Sequence, residues 1–238
     1  MKAVLTFHSI DDSGSLLSFG VARFERLLRA LEERDLPVLA LDELLNPAIR
    51  KGVALTFDDG MRSLFENGLP ALRDHAAPAH LFLTTGVVGG DNCWPGQPAN
   101  APRFEMMGWD EIEELHAAGV RVEAHTRHHP DLRGLDDSAI AEECETCDDE
   151  IERRLGRRPR YFAYPYGWHD RRVRNLVAAQ YDGCLTTELR CLSPSDHRDA
   201  LPRLDSFYLQ RAAVYRHLDG KAVRAYLGVR RWLRALKG

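Results

Sequence analysis

The stretch Val53-Ala54-Leu55-Thr56-Phe57-Asp58-Asp59-Gly60 constrains this chain more than any other. A short apolar run with β-branched residues reads as a buried strand rather than a helix. Here the run ends in two adjacent carboxylates and a glycine. Side chains alternate along a strand, so neighbouring aspartates point in different directions. They can do two jobs at one site: one can hold a metal while the other takes a proton. Gly60 lets the backbone leave without a side-chain clash. Taken by itself, the octapeptide also fits a strand followed by an Asp-rich turn or helix cap.

The rest of the chain narrows the choice. Its 238 residues, 44% hydrophobic and 29% charged, suffice for one large domain over 1–238 with a sizeable core. A formal charge of −4 gives no reason to expect a nucleic-acid partner. Five cysteines at irregular spacing do not form a disulfide framework. The Cys144–Cys147 pair has no second pair at zinc-ribbon spacing and sits among Glu and Asp in helical sequence. The N-terminal apolar run is too short for a signal peptide, and no stretch has the length of a transmembrane segment. The expectation is a soluble, cytoplasmic chain; an exported chain trimmed of its leader would read the same.

Periodicity predicts strands at 3–7, 36–41, 53–57, 80–84, 120–124, 161–163, 183–187 and 204–208. It predicts helices at 21–34, 43–45 (capped by Asp42), 61–75, 109–118, 138–155 (capped by Asp137 or Ser138), 170–180 and 221–236. A long Gly/Pro/Asn loop over 86–107 is of the length usually kept for function. Strands that alternate with helices, with no internal repeat, specify an α/β fold with a mainly parallel sheet, barrel-like or open. In both forms the active site lies at the carboxyl ends of the strands. His8, Asp58, Asp59, His125 and Tyr166 all fall at such ends.

His125-Thr126-Arg127-His128-His129-Pro130 follows the strand 120–124. Imidazoles four residues apart share one side of a helical turn or tight loop. Neutral imidazole suits zinc and similar ions. Two histidines and one carboxylate leave positions open, which is the catalytic kind of metal site. His128 points elsewhere. The competing reading is a histidine-rich surface turn.

The order Thr56-Phe57-Asp58-Asp59-Gly60, then His125 to Pro130, then Phe162-Ala163-Tyr164-Pro165-Tyr166-Gly167 resembles the polysaccharide deacetylase family, metal-dependent N-deacetylases of carbohydrate esterase family four. The resemblance implies a single-domain distorted (β/α)7-type barrel. It implies that Asp59, His125 and His129 bind one divalent metal ion, with Zn the default and Co, Ni or Fe able to fit the same ligands. It implies Asp58 as general base and the backbone N–H of Tyr166 as an oxyanion donor.

The sequence departs from that family pattern twice. No Leu-x-His strand appears near the C-terminus, where the general acid usually lies; His217 reads as helical. His8, at the end of the first strand, resembles the N-terminal aromatic–His element of circularly permuted members and is assigned as the acid instead. The arginine of the third motif is replaced by Ala163, and Arg203 is the candidate to hold Asp58 ionised from a neighbouring strand end.

Trp94, Tyr164, Tyr166 and Trp168 lie on loops where a sugar needs aromatic platforms, although loop packing explains each singly. After Asp219 the chain carries Lys221, Arg224, Arg230, Arg231, Arg234 and Lys237 and no acid. This basic C-terminal helix reads as one docked on the barrel, or as a contact with the inner face of a membrane. The expected partner is an N-acetylated carbohydrate: polysaccharide, oligosaccharide or lipid-linked precursor. The alternatives are an amidohydrolase of a small non-sugar amide and a non-catalytic carbohydrate-binding relative.

Overall fold

A computed structural model of the protein describes residues 1–97 and 100–236. Pro98 and Ala99 of the 86–107 loop, and Lys237 of the basic C-terminal run, lie outside the described residues. In chain order the elements are β1 (Lys2–Phe7), α1 (Val21–Glu33), α2 (Leu41–Leu44), β2 (Gly52–Asp59), α3 (Leu69–Asp74), β3 (Ala79–Leu83), α4 (Trp109–Ala117) and β4 (Arg121–Ala124). Then follow α5 (Asp137–Leu155), β5 (Tyr161–Ala163), α6 (Arg171–Val177), β6 (Gly183–Leu185), β7 (Leu204–Asp205), α7 (Ala212–Tyr215) and α8 (Lys221–Ala235).

The seven strands form one parallel sheet in the order β6-β5-β4-β3-β2-β1-β7. Leu201 bridges to Leu185 of β6, and Leu204 pairs with Leu5 of β1. The short segment 201–205 therefore meets both edges of the sheet and curls it into a distorted (β/α)7 barrel. Alternation sorts the side chains into two layers. Ala3, Leu5, Phe7, Val53, Leu55 and Phe57 pack outward against the helices, while Val4, Ala54, Phe82, Tyr161, Ala163 and Leu185 fill the interior. Asp58 keeps the inward phase of Ala54 and Thr56.

Several predicted elements are corrected by specific causes. The strand expected at 36–41 is reduced to one bridge, Val38 to Val53. From Leu55 onward the edge of β2 belongs to β3, so nothing further is free to pair. Asp42 is not the cap of α2: Ala40 takes that position, and Asp42 in the first turn pairs with Arg121 at 2.5 Å. The helix expected over 61–75 opens as a π-turn at Leu64–Gly68, where the Leu69 N–H reaches the Leu64 carbonyl. Pro70 cannot donate and its ring crowds the carbonyl four residues back, and the wider turn accommodates it. The strand expected at 204–208 stops at Asp205, whose carboxylate accepts the Phe207 N–H at 2.8 Å and starts a 3-10 turn. The cap of α5 is Asp136, which accepts the Ala139 N–H at 2.8 Å, rather than Asp137 or Ser138.

The inner side of α5 carries Cys144 and Cys147, both buried free thiols, and Asp148. The Tyr181 hydroxyl donates to Asp148 at 3.0 Å. Burial pushes the Asp148 carboxyl up to about 7, against the opposing pull of Tyr181 and Arg158. The folded state thus binds this proton more tightly than the unfolded chain does, and stability falls as pH rises from about 4 to about 7. Asp148→Asn should melt higher than wild type at pH 8 and show a smaller gap at pH 5. Thermal denaturation at the two values checks this.

Candidate metal and catalytic site

The carboxyl ends of β2 and β4 bring Asp59, His125 and His129 together, with one ligand atom of each within 4.8 Å of the others. Asp59 Oδ1 is 3.4 Å from His125 Nε2 and 3.7 Å from His129 Nε2. All three residues are buried, and Asp59 Oδ1 lacks a well-formed hydrogen bond among the described residues. A buried carboxylate oxygen without a partner, facing two imidazole nitrogens, is a donor set that one divalent cation would satisfy.

Further contacts set the ring orientations. His125 Nδ1–H donates to the Ala163 carbonyl at 2.7 Å, which leaves Nε2 turned to Asp59. Thr126 Oγ1 accepts the His129 N–H at 3.0 Å. Burial and the neighbouring charge of His125 push His129 down to about 3, so its imidazole is neutral, the ligating form. Burial alone would lower His125 and raise Asp59; the carboxylate–imidazole attraction outweighs it and moves each the other way.

Asp58 lies behind this cluster, inside the barrel. Arg203 donates to it from both ends of the guanidinium: Nη1 to Oδ1 at 2.7 Å and Nη2 to Oδ2 at 2.7 Å. Arg203 Nε donates to the Thr186 carbonyl at 2.9 Å, and Nη1 reaches Thr56 Oγ1 at 3.4 Å. Both partners are almost wholly buried. Burial would raise the Asp58 carboxyl, but the charges of Arg203 and His125 outweigh it and the net direction is down. His8 is half-buried one residue past Phe7, which pairs with Phe57, so it follows β1 beside Asp58. His217 is exposed in the turn after α7, against Arg34.

Tyr166 has φ 59° and Gly167 φ 72°. A Cβ on Gly167 would lie 2.6 Å from the Thr187 backbone nitrogen, so only glycine fits there. The Trp94 indole N–H donates to the Tyr166 hydroxyl at 3.0 Å, and the Trp94 ring centroid lies 4.3 Å from that of His129. Tyr166 and Trp168 rings lie 4.7 Å apart, with Trp168 partly exposed. Tyr164 departs from expectation. Its ring is buried against Phe162 and its hydroxyl donates to the Asp199 carbonyl at 2.9 Å, so it packs the core and presents no face to a substrate.

One residue that sequence reasoning passed over is Glu143. It accepts the backbone N–H of Arg127 at 3.1 Å and of His128 at 2.8 Å, and bonds the His128 ring at 2.7 Å. It clamps the loop 125–130 from α5. Periodicity places it among the charged residues of a helix, and only the tertiary partner reveals the task.

The family model for polysaccharide deacetylases matches residues 46–182, and the chain belongs to that family of carbohydrate-processing hydrolases. Among relatives, a poly-β-1,6-N-acetyl-D-glucosamine N-deacetylase of Staphylococcus aureus is 22% identical over 202 residues, covering 79% of this chain and 67% of the relative. Among solved structures, IcaB from Ammonifex degensii has a TM-score of 0.75 and 26% identity, covering 90% of this chain and 97% of that one. The deacetylase PplD of Streptococcus pyogenes, at TM-score 0.73 and 21% identity over 85% of this chain and 91% of that one, shares the fold.

The loop 125–130 rests on Gly86, whose N–H donates to the Arg127 carbonyl at 2.8 Å. A Cβ at Gly86 would lie 2.5 Å from that same oxygen. If these residues hold a divalent cation, Gly86→Ala should displace the loop and weaken its binding by about tenfold or more, as loss of outer support does at metal sites. Calorimetric titration of the metal-free protein measures it; an unchanged affinity would show that the loop is held by other means.

Proposed function

We propose that residues 1–238 are one catalytic domain that removes the N-acetyl group from an acetylated amino sugar. The observation that carries this reading is the buried Asp59–His125–His129 donor set beside an ionised, arginine-held Asp58. Those three residues would hold one divalent cation, with zinc the first choice from the ligand types. When bound, such an ion supplies Lewis acidity towards water and the amide carbonyl.

Every other part belongs to the chain. The Asp58 carboxylate takes the proton of the attacking water; its low pKa keeps it in the basic form at neutral pH. Arg203 positions Asp58 and holds it ionised. The Tyr166 N–H, on the αL turn fixed by Gly167, donates to the oxygen on which negative charge develops. His8, beside Asp58, gives a proton to the departing amine, the role carried elsewhere by a C-terminal histidine. Trp168, exposed, and the half-buried Tyr166 ring form the wall against which a sugar ring would lie, with the largely buried Trp94 behind, bonded to the Tyr166 hydroxyl.

The name of the Staphylococcus aureus relative makes β-1,6-linked N-acetylglucosamine the first sugar to try, with chito-oligosaccharides beside it. A small non-sugar amide is the reading to exclude. The five free cysteines fit a reducing compartment, and we place the protein in the cytoplasm. The test is acetate release from both oligosaccharides and from simple acetamides, with metal content measured on the same samples. Wild type should release acetate from a sugar, and Asp58→Asn should lose about a thousandfold of that rate while keeping its metal. Release only from simple acetamides would replace the carbohydrate assignment. Undiminished turnover in Asp58→Asn would remove Asp58 as the base.

A further inference from the structure

The large exposed apolar side chains are not scattered. Leu16, Trp168 and Phe207 stand in loops that follow β1, β5 and β7, on the edge of the barrel that carries the site. Val229, Trp232, Leu233 and Leu236 stand on the last two turns of α8 and just beyond, at spacings of three, four and seven. Trp232 is 61% exposed and Leu236 65%. Side chains at that spacing form one stripe along a helix.

The opposite side of α8 faces the barrel. Val223 and Leu227 are buried there, and the guanidinium of Arg230 lies 5.3 Å from the Tyr208 ring. Arg234 donates to the Thr187 carbonyl at 3.1 Å, and the Thr187 hydroxyl donates to the Tyr166 carbonyl at 3.3 Å. The outer apolar stripe is thereby moored two hydrogen bonds from the site. No helix among the described residues is long and apolar enough to cross a membrane.

We propose that the outer face of α8 seats the enzyme on an anionic lipid bilayer. Charge selects this occupant. After Asp219 the sequence holds six cations and no acid. Two copies of α8 laid stripe to stripe would bring like charges together, whereas acidic headgroups would meet the exposed Lys221 and Arg224; Arg231 is turned to Glu188 at 3.7 Å. Tryptophan favours the membrane–water interface, and Trp232 lies mid-stripe. The proposal deepens the N-deacetylase reading, because a site opening beside a bilayer suits an acetylated sugar carried on a lipid. Binding itself is measured without turnover, so the two readings fail separately.

The experiment is flotation of the full chain with vesicles of phosphatidylcholine alone and of phosphatidylcholine with phosphatidylglycerol. Wild type should float with the anionic vesicles only, less so as salt rises, with Trp emission shifted to the blue. The double variant Trp232→Glu/Leu236→Glu should bind by about tenfold less or weaker still, with thermal stability and turnover of a soluble oligosaccharide unchanged. Failure of wild type to float, or equal flotation of the double variant, would overturn the proposal. So would a wild-type dimer in light scattering that the double variant breaks, since a second copy would then own the stripe.

Discussion

The buried pair of Asp58 and Arg203 is the interaction on which the rest depends. Two charges inside a barrel carry a large desolvation penalty, and burial as such makes an ion pair no source of stability. This pair is held by matched geometry: two parallel hydrogen bonds between guanidinium and carboxylate, with Thr186 and Thr56 taking further guanidinium protons. Removal of either partner would leave an uncompensated charge, at a cost of roughly 3–5 kcal/mol. The same pair joins β2 to the segment that meets both edges of the sheet. The contact that sets the charge of the candidate base thus also ties β2 to the closing segment, beside the backbone pairing of Leu201 and Leu204.

The site edge also stores backbone strain. Asp35, Asp59, Ala76, Thr126, His129 and Tyr166 are the non-glycine residues with positive φ among those described, and four of them belong to the site. Left-handed backbone at such residues costs on the order of 1–3 kcal/mol each. At Asp59 (φ 74°) the strand twists as it ends, and the carboxylate turns towards the histidines while Asp58 stays inward. At His129 and Thr126 the same device folds the loop back on itself, with Glu143, Gly86 and Ala163 as its supports. Rigid outer contacts of this kind hold the histidines in one orientation.

Much of this was legible in the residues themselves. The apolar run before Asp58-Asp59, the four-residue interval from His125 to His129 and the alternation of strands with helices give the barrel and locate the histidine–aspartate cluster at its rim. Arg203 could be nominated because barrel closure brings the last strand beside the first, and its side chain does reach Asp58. The misses share a cause. The fate of 36–41 depends on when β3 begins to pair with β2; the π-turn depends on Pro70 within a helix already packed; Glu143 and Tyr164 are defined by partners far away in sequence. Local pattern carries none of that, since each is decided by competition for a neighbour.

The measurement that most directly tests the account is the pH dependence of kcat/KM for wild type, Arg203→Lys and Arg203→Ala at equal metal content. If Arg203 holds Asp58 ionised, its loss leaves burial to raise the carboxyl. The acidic limb of Arg203→Ala should then move to higher pH by about one unit or more, with Arg203→Lys in between. An acidic limb that stays in place in folded, metal-loaded Arg203→Ala would contradict the account, because the charge of Asp58 would then be set by something other than its buried partner.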